Sequence, residues 1–553
     1  MNLIIKKVIN MIKKIIKKLN GIDKEYGVLF FINLFLFMPF ISKRFVYGHD
    51  TMYHIAQIDS LTKSILSGNL TKISSVIANS FGYGSSIFYP KLPHYICSII
   101  NIITGKLNVI YSINIYFIII SFIACIMMYK LIKLITENKT SALLGSIFYI
   151  TMPYYISDIF VRSALNESLI LVFIPMIFLG IINLLKGNKK KFYLYFIIGY
   201  IGFINSHLVL CVYFTIFLLV FMLFNIKKYL KHIKELLIGS GIILIMTLPN
   251  IIILLEHKLT DLYVVFDSKL MDLSTKTVQK NGIELIELFL PSKTVVYYFI
   301  NIIVLIFTIL GIIYFIKKDK KNKLIYGIIA FTITSILFSL KIFPYNLLPK
   351  LLLSIQFPFR NNCFTIFGIS VISSLGILLF KNKKYLAYAS IFICLIIACF
   401  YINKSDFRNI SKDESNYDIY AGIGWNREYL TKNAFENIDY FVNRNSNIKG
   451  DNIKIKELKS NFPSIKFKVG EITKPTKVEL PRLYYLGYKV RQNNKTLNYK
   501  CNKNGFIEIE LKENGIVELD WIGTPLYNIF RLIRVIFIIT GSIIIIKKHT
   551  KLN

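Results

Sequence analysis

Gly48-His49-Asp50-Thr51-Met52-Tyr53-His54 follows directly on an apolar run from residue 27 to residue 46. That run matches the length of about 20 apolar residues needed to cross a bilayer's hydrocarbon. Lysines lie behind it; ahead lies a polar stretch with two histidines and a carboxylate. The contrast recurs along the chain and decides the fold class: a mainly α, multi-pass membrane protein.

Composition agrees. The 553 residues are 54% hydrophobic, with a mean hydropathy of +0.54, too apolar for a soluble protein. The formal net charge of +36 would suggest nucleic acid in a soluble chain. Here the lysines fill short loops between apolar runs, where they set orientation and meet anionic lipid, so no nucleic-acid partner is expected. Seven scattered cysteines, with only Cys501 in the large polar segment, predict neither a disulfide framework nor a thiolate metal site.

Twelve spans are expected, at 27–46, 108–129, 140–157, 167–185, 192–206, 208–225, 236–255, 296–316, 324–341, 362–380, 385–402 and 526–546. With the N-terminus inside, seven segments (1–26, 130–139, 186–191, 226–235, 317–323, 381–384 and 547–553) hold 29 lysines and five acids. The outer loop 256–295 holds five lysines against six acids. This bias satisfies the positive-inside rule and places both termini in the cytoplasm. Lys43-Arg44 is a local exception.

The expected organisation is a basic amphipathic cytoplasmic segment (1–26), a transmembrane domain (27–402) with a long first outer loop (47–107), an extracytoplasmic β-rich domain (403–525), and a last span with its tail (526–553). In 1–20, Ile5, Val8, Ile12, Ile15, Ile16 and Leu19 share one helical face. The β reading rests on period-2 alternation in Ile465-Lys466-Phe467-Lys468-Val469 and Ile507-Glu508-Ile509-Glu510-Leu511. Turn signals at Lys503-Asn504-Gly505 and Glu513-Asn514-Gly515 add to it.

Chemistry-bearing residues collect on the outer side. Ile55, Ile58, Leu61 and Ile65 recur at helical spacing, predicting a helix along the outer interface. Asp50, Tyr53, His54 and Gln57 share its polar face. Asp50 fits a general base; it also fits a helix cap or the partner of a loop lysine. The aromatic loop through Gly82-Tyr83-Gly84, Phe88-Tyr89-Pro90 and Pro93-His94-Tyr95 reads as a headgroup anchor or as a groove for a lipid-linked substrate. Asp158, Arg162 and Glu167 stand at one span boundary, where an acid is costly unless paired or functional. Arg162 would clasp Glu167 or hold a phosphate. Asn205-Ser206-His207, Pro249-Asn250, Glu256-His257 and Gln356-Phe357-Pro358-Phe359-Arg360 mark other outer ends. No cofactor motif is present; a divalent cation on His49, Asp50 and His54 is a further reading, without a convincing third ligand.

These motifs together, with Val161-Arg162-Ser163-Ala164 leading to Glu167-Ser168-Leu169, resemble bacterial polytopic proteins of the 6-pyruvoyl-tetrahydropterin synthase-related and YfhO-like type. Both look like members of the GT-C glycosyltransferase superfamily. The resemblance covers roughly residues 27–402, and Glu479-Leu480-Pro481 with Tyr484-Tyr485 and Gly487-Tyr488 extends it into the β domain. It implies a plasma-membrane enzyme that takes a sugar from a polyprenyl-phosphate carrier to an envelope glycan or lipid acceptor on the outer face. Asp50 would be the base, Arg162 and then Arg360 would bind the donor phosphate, and Glu167 would position Arg162. His49, Tyr53, His54, Tyr89 and His207 complete the expected substrate-binding set. Several GT-C branches carry two adjacent acids where this loop has His49 before a single Asp50. Two other readings stay open: a non-catalytic or flippase-like protein handling lipid-linked glycans, and a solute transporter. The almost purely apolar span centres count against the transporter.

Overall fold

The computed structural model describes residues 23–550 apart from 70, 106–107, 292–295, 412–415, 417–418, 425 and 452. The amphipathic segment expected at 1–20 lies outside the described residues. Each of the twelve apolar runs carries a helix. Among the described residues six helices are long and apolar enough to cross a membrane: Val109–Thr136, Leu165–Leu185, Ile233–Leu259, Pro358–Leu379, Lys383–Ile402 and Pro525–Ile544. The other six are shorter: Glu25–Leu36, Lys139–Thr151, Lys189–Ile204, Leu208–Leu223, Ile302–Lys318 and Lys323–Leu337. At about 1.5 Å per residue the shortest of these spans only some 18 Å.

Local chemistry explains the shortening. The run expected at 140–157 breaks at Met152, which is extended (ψ 137°) before Pro153, so that Lys139–Thr151 and Pro153–Phe160 are separate helices. The first run stops at Leu36. A short turn, Met38–Ile41, leads into a strand, Arg44–Val46, that pairs antiparallel with Phe407–Asn409. That pairing takes Lys43-Arg44 out of the span and accounts for the charge exception. Asparagine side chains start several helices by accepting a backbone N–H, among them Asn108, Asn138, Asn188, Asn301 and Asn322.

Packing separates two ends. At the lysine end Asp23 pairs with Lys133 and Lys139, Lys186 with Glu137, and Lys189 with Glu235. Four segments expected on one side of the membrane are thereby tied together. At the opposite, loop end sit the first loop, the turn after Pro153–Phe160, the Pro358–Asn361 turn and the β domain.

The β domain holds two antiparallel sheets. Lys449–Gly450, Thr476–Leu483, Phe506–Leu511 and Tyr499–Cys501 form one. Lys454–Asn461, Ser464–Gly470, Gly515–Trp521, Tyr488–Gln492 and Lys495–Leu497 form the other. The alternating residues Ile465, Phe467, Val469, Ile507, Ile509 and Leu511 all point into one shared core. That core does not stop at the domain edge. Phe81, Tyr83, Ile87 and Phe88 of the first loop belong to it. Phe88 lies flat on Tyr429, ring centroids 5.6 Å apart, and the Tyr83 hydroxyl donates to Ile423 O at 2.5 Å.

Two expectations are corrected here. Part of the aromatic loop is the seat of the β domain, because Phe81, Tyr83 and Phe88 are buried among Tyr429, Tyr485 and Phe506, whereas Tyr95 stays exposed. The Thr51–Leu66 helix forms as expected but is buried on both faces, so its polar side is not open to water. Its polar Gln57 donates to Gly422 O at 3.0 Å, so the segment leading into the β domain covers the face that the sequence assigns to water. Gly84 sits at the centre of this seat. A Cβ there would lie 2.5 Å from the Tyr485 ring, and that ring is pinned by its hydroxyl to Tyr429 O at 2.9 Å. Gly84→Ala is therefore expected to cost about 1–3 kcal/mol of overpacking. The check is limited proteolysis: the β domain should be released at lower protease concentration than in the wild type, and an unchanged digestion pattern would contradict the seating.

Candidate active site

The site starts from a tight turn. Pro153–Phe160 ends at Val161; Arg162 N donates to Ser157 O at 2.9 Å and Ala164 N to Asp158 O at 2.8 Å, with Ser163 at φ +54°. The chain then enters the Leu165–Leu185 helix with Glu167 in its first turn, where an acid suits the helix dipole. Arg162 is thus folded back between two acids. Its Nη1 donates to Asp158 Oδ1 at 2.8 Å and to Glu167 Oε2 at 2.6 Å, and its Nη2 donates to Glu167 Oε1 at 2.7 Å. Arg360, from the Pro358–Asn361 turn, brings Nε to 2.9 Å from Glu167 Oε1. Phe359 lies 5.4 Å from the Arg162 guanidinium and Phe357 lies 5.0 Å from that of Arg360, within cation–π range.

The arginines differ in freedom. The Arg162 side chain is 5% exposed and both its terminal nitrogens are taken by carboxylates; the Arg360 side chain is 18% exposed and shares one carboxylate oxygen. Burial pushes the Asp158 carboxyl up, reinforced by the Glu167 charge and opposed by Arg162.

Asp50 stands beside this cluster because Gly48 lets two backbones touch. A Cβ on Gly48 would fall 2.7 Å from both Arg162 C and Val161 O; only glycine fits. Asp50 N then donates to Arg162 O at 3.2 Å. Asp50 precedes the Thr51–Leu66 helix as its N-cap residue, yet its side chain caps nothing. Nor does it pair with a loop lysine among the described residues. Both structural roles weighed for it from sequence are thus unfilled, and the half-buried carboxylate is uncommitted. Burial raises its pKa, while Arg162 and then Arg360 pull it down.

The far wall comes from the first loop and the β domain. Lys91, buried, donates to Gln57 Oε1 at 2.9 Å and to the Tyr53 hydroxyl at 3.2 Å, with the Tyr53 and Tyr89 rings 5.1 and 5.7 Å away. Burial holds its ammonium well below the usual lysine range, opposed by Glu428. Glu428, half-buried, is itself raised by burial and feels the Asp50 charge. His54 Nδ1 meets His94 Nε2 at 3.0 Å. Burial, with Lys91 adding to it, pushes His54 down to about 3, and His94 is also lowered. One ring donates to the other across this contact. His207 caps the Leu208–Leu223 helix by accepting from Leu210 N at 3.3 Å; burial lowers it to about 3. Its ring lies 6.2 Å from Tyr89.

The expected residues therefore divide. Asp50, Arg162, Glu167 and Arg360 converge, Tyr89 and His207 flank them, and Tyr53 and His54 line the Lys91 side. His49 is exposed. Lys91 and Glu428 were not singled out from sequence. Lys91 lies inside the flagged aromatic run, whereas Glu428 had no local signal. The cation reading on His49, Asp50 and His54 is corrected: His54 turns into its pair with His94. Asp158, Glu167 and Cys363 bring donor atoms within 4.8 Å of one another, but the Arg162 guanidinium already occupies those carboxylates, in the place of an ion.

Residues 89–253 match the family model described as dolichyl-phosphate-mannose-protein mannosyltransferase. The match includes Tyr89, Arg162, Glu167 and His207 and leaves Asp50 and Arg360 outside. A protein of Lactococcus lactis subsp. cremoris, described as uncharacterized, is 24% identical over 579 residues, 88% of either chain. Among solved structures, ArnT from Cupriavidus metallidurans bound to undecaprenyl phosphate is similar at 12% identity and a TM-score of 0.38. The alignment covers 68% of this chain and 64% of that one.

Proposed function

We propose that the chain is a GT-C-type membrane glycosyltransferase, moving a sugar from a polyprenyl-phosphate carrier to a cell-envelope glycan or lipid acceptor. In this reading the chain crosses the bacterial plasma membrane twelve times, with both ends in the cytoplasm and the loop end outside. The gathering of lysines at the opposite end supports that orientation. The mannosyltransferase-family match over residues 89–253 supports the reaction class. The observation that carries the reading is the uncommitted Asp50 carboxylate beside the Arg162–Glu167–Arg360 cluster.

The step balances on these residues. Asp50 accepts the proton of the acceptor hydroxyl, whose oxygen bonds to the anomeric carbon. The carbon–oxygen bond to phosphate breaks, and its electron pair leaves with the phosphate, where cations stabilise the growing charge. Arg360, with its freer guanidinium, takes the phosphate. Arg162, spent on two carboxylates, positions Glu167 and through it Arg360. This reverses the order expected from sequence. Lys91 and Glu428 line the acceptor side.

Incubation of the purified chain with radiolabelled polyprenyl-phosphate sugars and extracted envelope glycans tests the proposal. Label should move to the glycan fraction; retention of all label on the carrier across a panel of sugars would favour a non-catalytic lipid-glycan binder. The pH profile follows from burial. Transfer requires the charged form of Asp50, whose pKa is raised above 3.8. Activity should fall with one proton's slope as pH drops through that raised value. A rate independent of pH down to the ordinary carboxylate range would remove Asp50 as base.

A further inference from the structure

Away from this site, the Pro525–Thr550 helix packs along Ile233–Leu259, and their seam carries unpaired cations. The register is marked at the loop end, where the Thr524 hydroxyl donates to Glu256. Ten residues further along each helix, Arg534 Nη1 donates to Met246 O at 3.5 Å. Ten residues of helix is about 15 Å. Arg534 thus lies inside the run expected to span the membrane, about 15 Å of helix from the loop end. Arg531, exposed, is three residues earlier on the same face. Lys72 reaches the seam from the first loop, donating to Asn250 Oδ1 at 2.7 Å and to Ser86 O at 3.3 Å, with the Tyr527 ring 5.9 Å away. Burial and then the Arg534 charge lower Lys72 to about 8. Its partners and those of Arg534 are neutral oxygens. Among the described residues no carboxylate pairs with any of the three.

A charge within an expected span and without a counter-ion is costly and signals a ligand. We propose that this seam binds the phosphate of an anionic membrane lipid, held by Arg531, Arg534 and Lys72, with the lipid's tail along the exposed apolar face of the last helix. Guanidinium matches phosphate geometrically, and basic clefts between membrane helices are built to take lipid headgroups. Ile529, Leu532, Ile533 and Ile536, all exposed, supply the apolar surface. The site is independent of the proposed transfer reaction and would stand if that reading failed.

Native mass spectrometry of the purified full chain in neutral detergent tests it, with phosphatidylglycerol, phosphatidylcholine, undecaprenyl phosphate and inorganic phosphate as probes. The wild type should retain phosphatidylglycerol over phosphatidylcholine, and Arg531→Gln/Arg534→Gln should weaken that retention about thirtyfold. Lys72→Met, which leaves the membrane helix untouched, should weaken it about fivefold. Loss of undecaprenyl phosphate in the same variants would extend the site to prenyl phosphates, whereas its retention would confine the site to phospholipid. Unchanged selectivity in both variants, or displacement of the lipid by millimolar inorganic phosphate, would overturn the proposal.

Discussion

Asp50→Asn is expected to lower transfer by about 10²–10⁴-fold, the range that general-base catalysis supplies, with little change in stability. The amide keeps the shape, and the anchoring bond from residue 50 N to Arg162 O is a backbone contact it does not touch. Among the described residues the carboxylate makes no cap and no ion pair, so no fold-stabilising contact with them is lost. Neutralising a raised carboxylate also relieves its burial cost, and the melting temperature in detergent should hold or rise slightly. Turnover of labelled carrier and the melting curve are read on the same preparation. Full activity in Asp50→Asn would assign the base elsewhere, and Glu428 would be the next acid to replace. A folding defect would instead show that the carboxylate has a structural partner.

Much of this arrangement could be read along the chain because it rests on local periodicity. The strands at Ser464–Gly470 and Phe506–Leu511 alternate as their sequence does, since each has one face in a core and one in water. Arg162 and Glu167 announced themselves as charges at a membrane boundary, where an unpaired group is expensive. What escaped depends on contacts between distant segments. The Thr51–Leu66 helix looked amphipathic, with a wet polar face; residues 419–423 return across several hundred positions to cover it. Glu428 comes from the same return. The aromatic loop has the composition of a headgroup anchor, and nothing in it tells that Tyr429 and Tyr485 will stack there. The roles of the two arginines inverted for a related reason. Sequence gives the number of cations, but their order depends on how many carboxylate oxygens each one meets.

The charge balance makes Glu167 the most sensitive residue of the cluster. Its two oxygens serve Arg162 twice and Arg360 once, inside a helix that is almost wholly buried. Glu167→Gln would leave two guanidinium groups sharing one neutral amide, with Asp158 as the remaining acid. Breaking a buried pair from one side costs about 3–5 kcal/mol, because the stranded charge stays desolvated. Removing both members costs less: Arg162→Met/Glu167→Gln should be no less stable than Glu167→Gln alone, with a coupling of roughly 1–3 kcal/mol in the cycle that Arg162→Met completes. Part of the strain in the single variant should be relieved by Asp158, whose proton the surplus positive charge would drive off. Glu167→Gln should therefore lack the gain in stability on acidification that the raised Asp158 gives the wild type as it takes up its proton. Melting temperatures of the four proteins across pH 5–8 give the cycle. Transfer rates on the same samples separate positioning from direct contact. If Glu167 acts through Arg360, Glu167→Gln should raise KM for the polyprenyl-phosphate donor along with its loss of stability. An inactive Glu167→Gln that melts like the wild type would mean that this carboxylate touches substrate itself, and the ion-pair account of the cluster would be wrong.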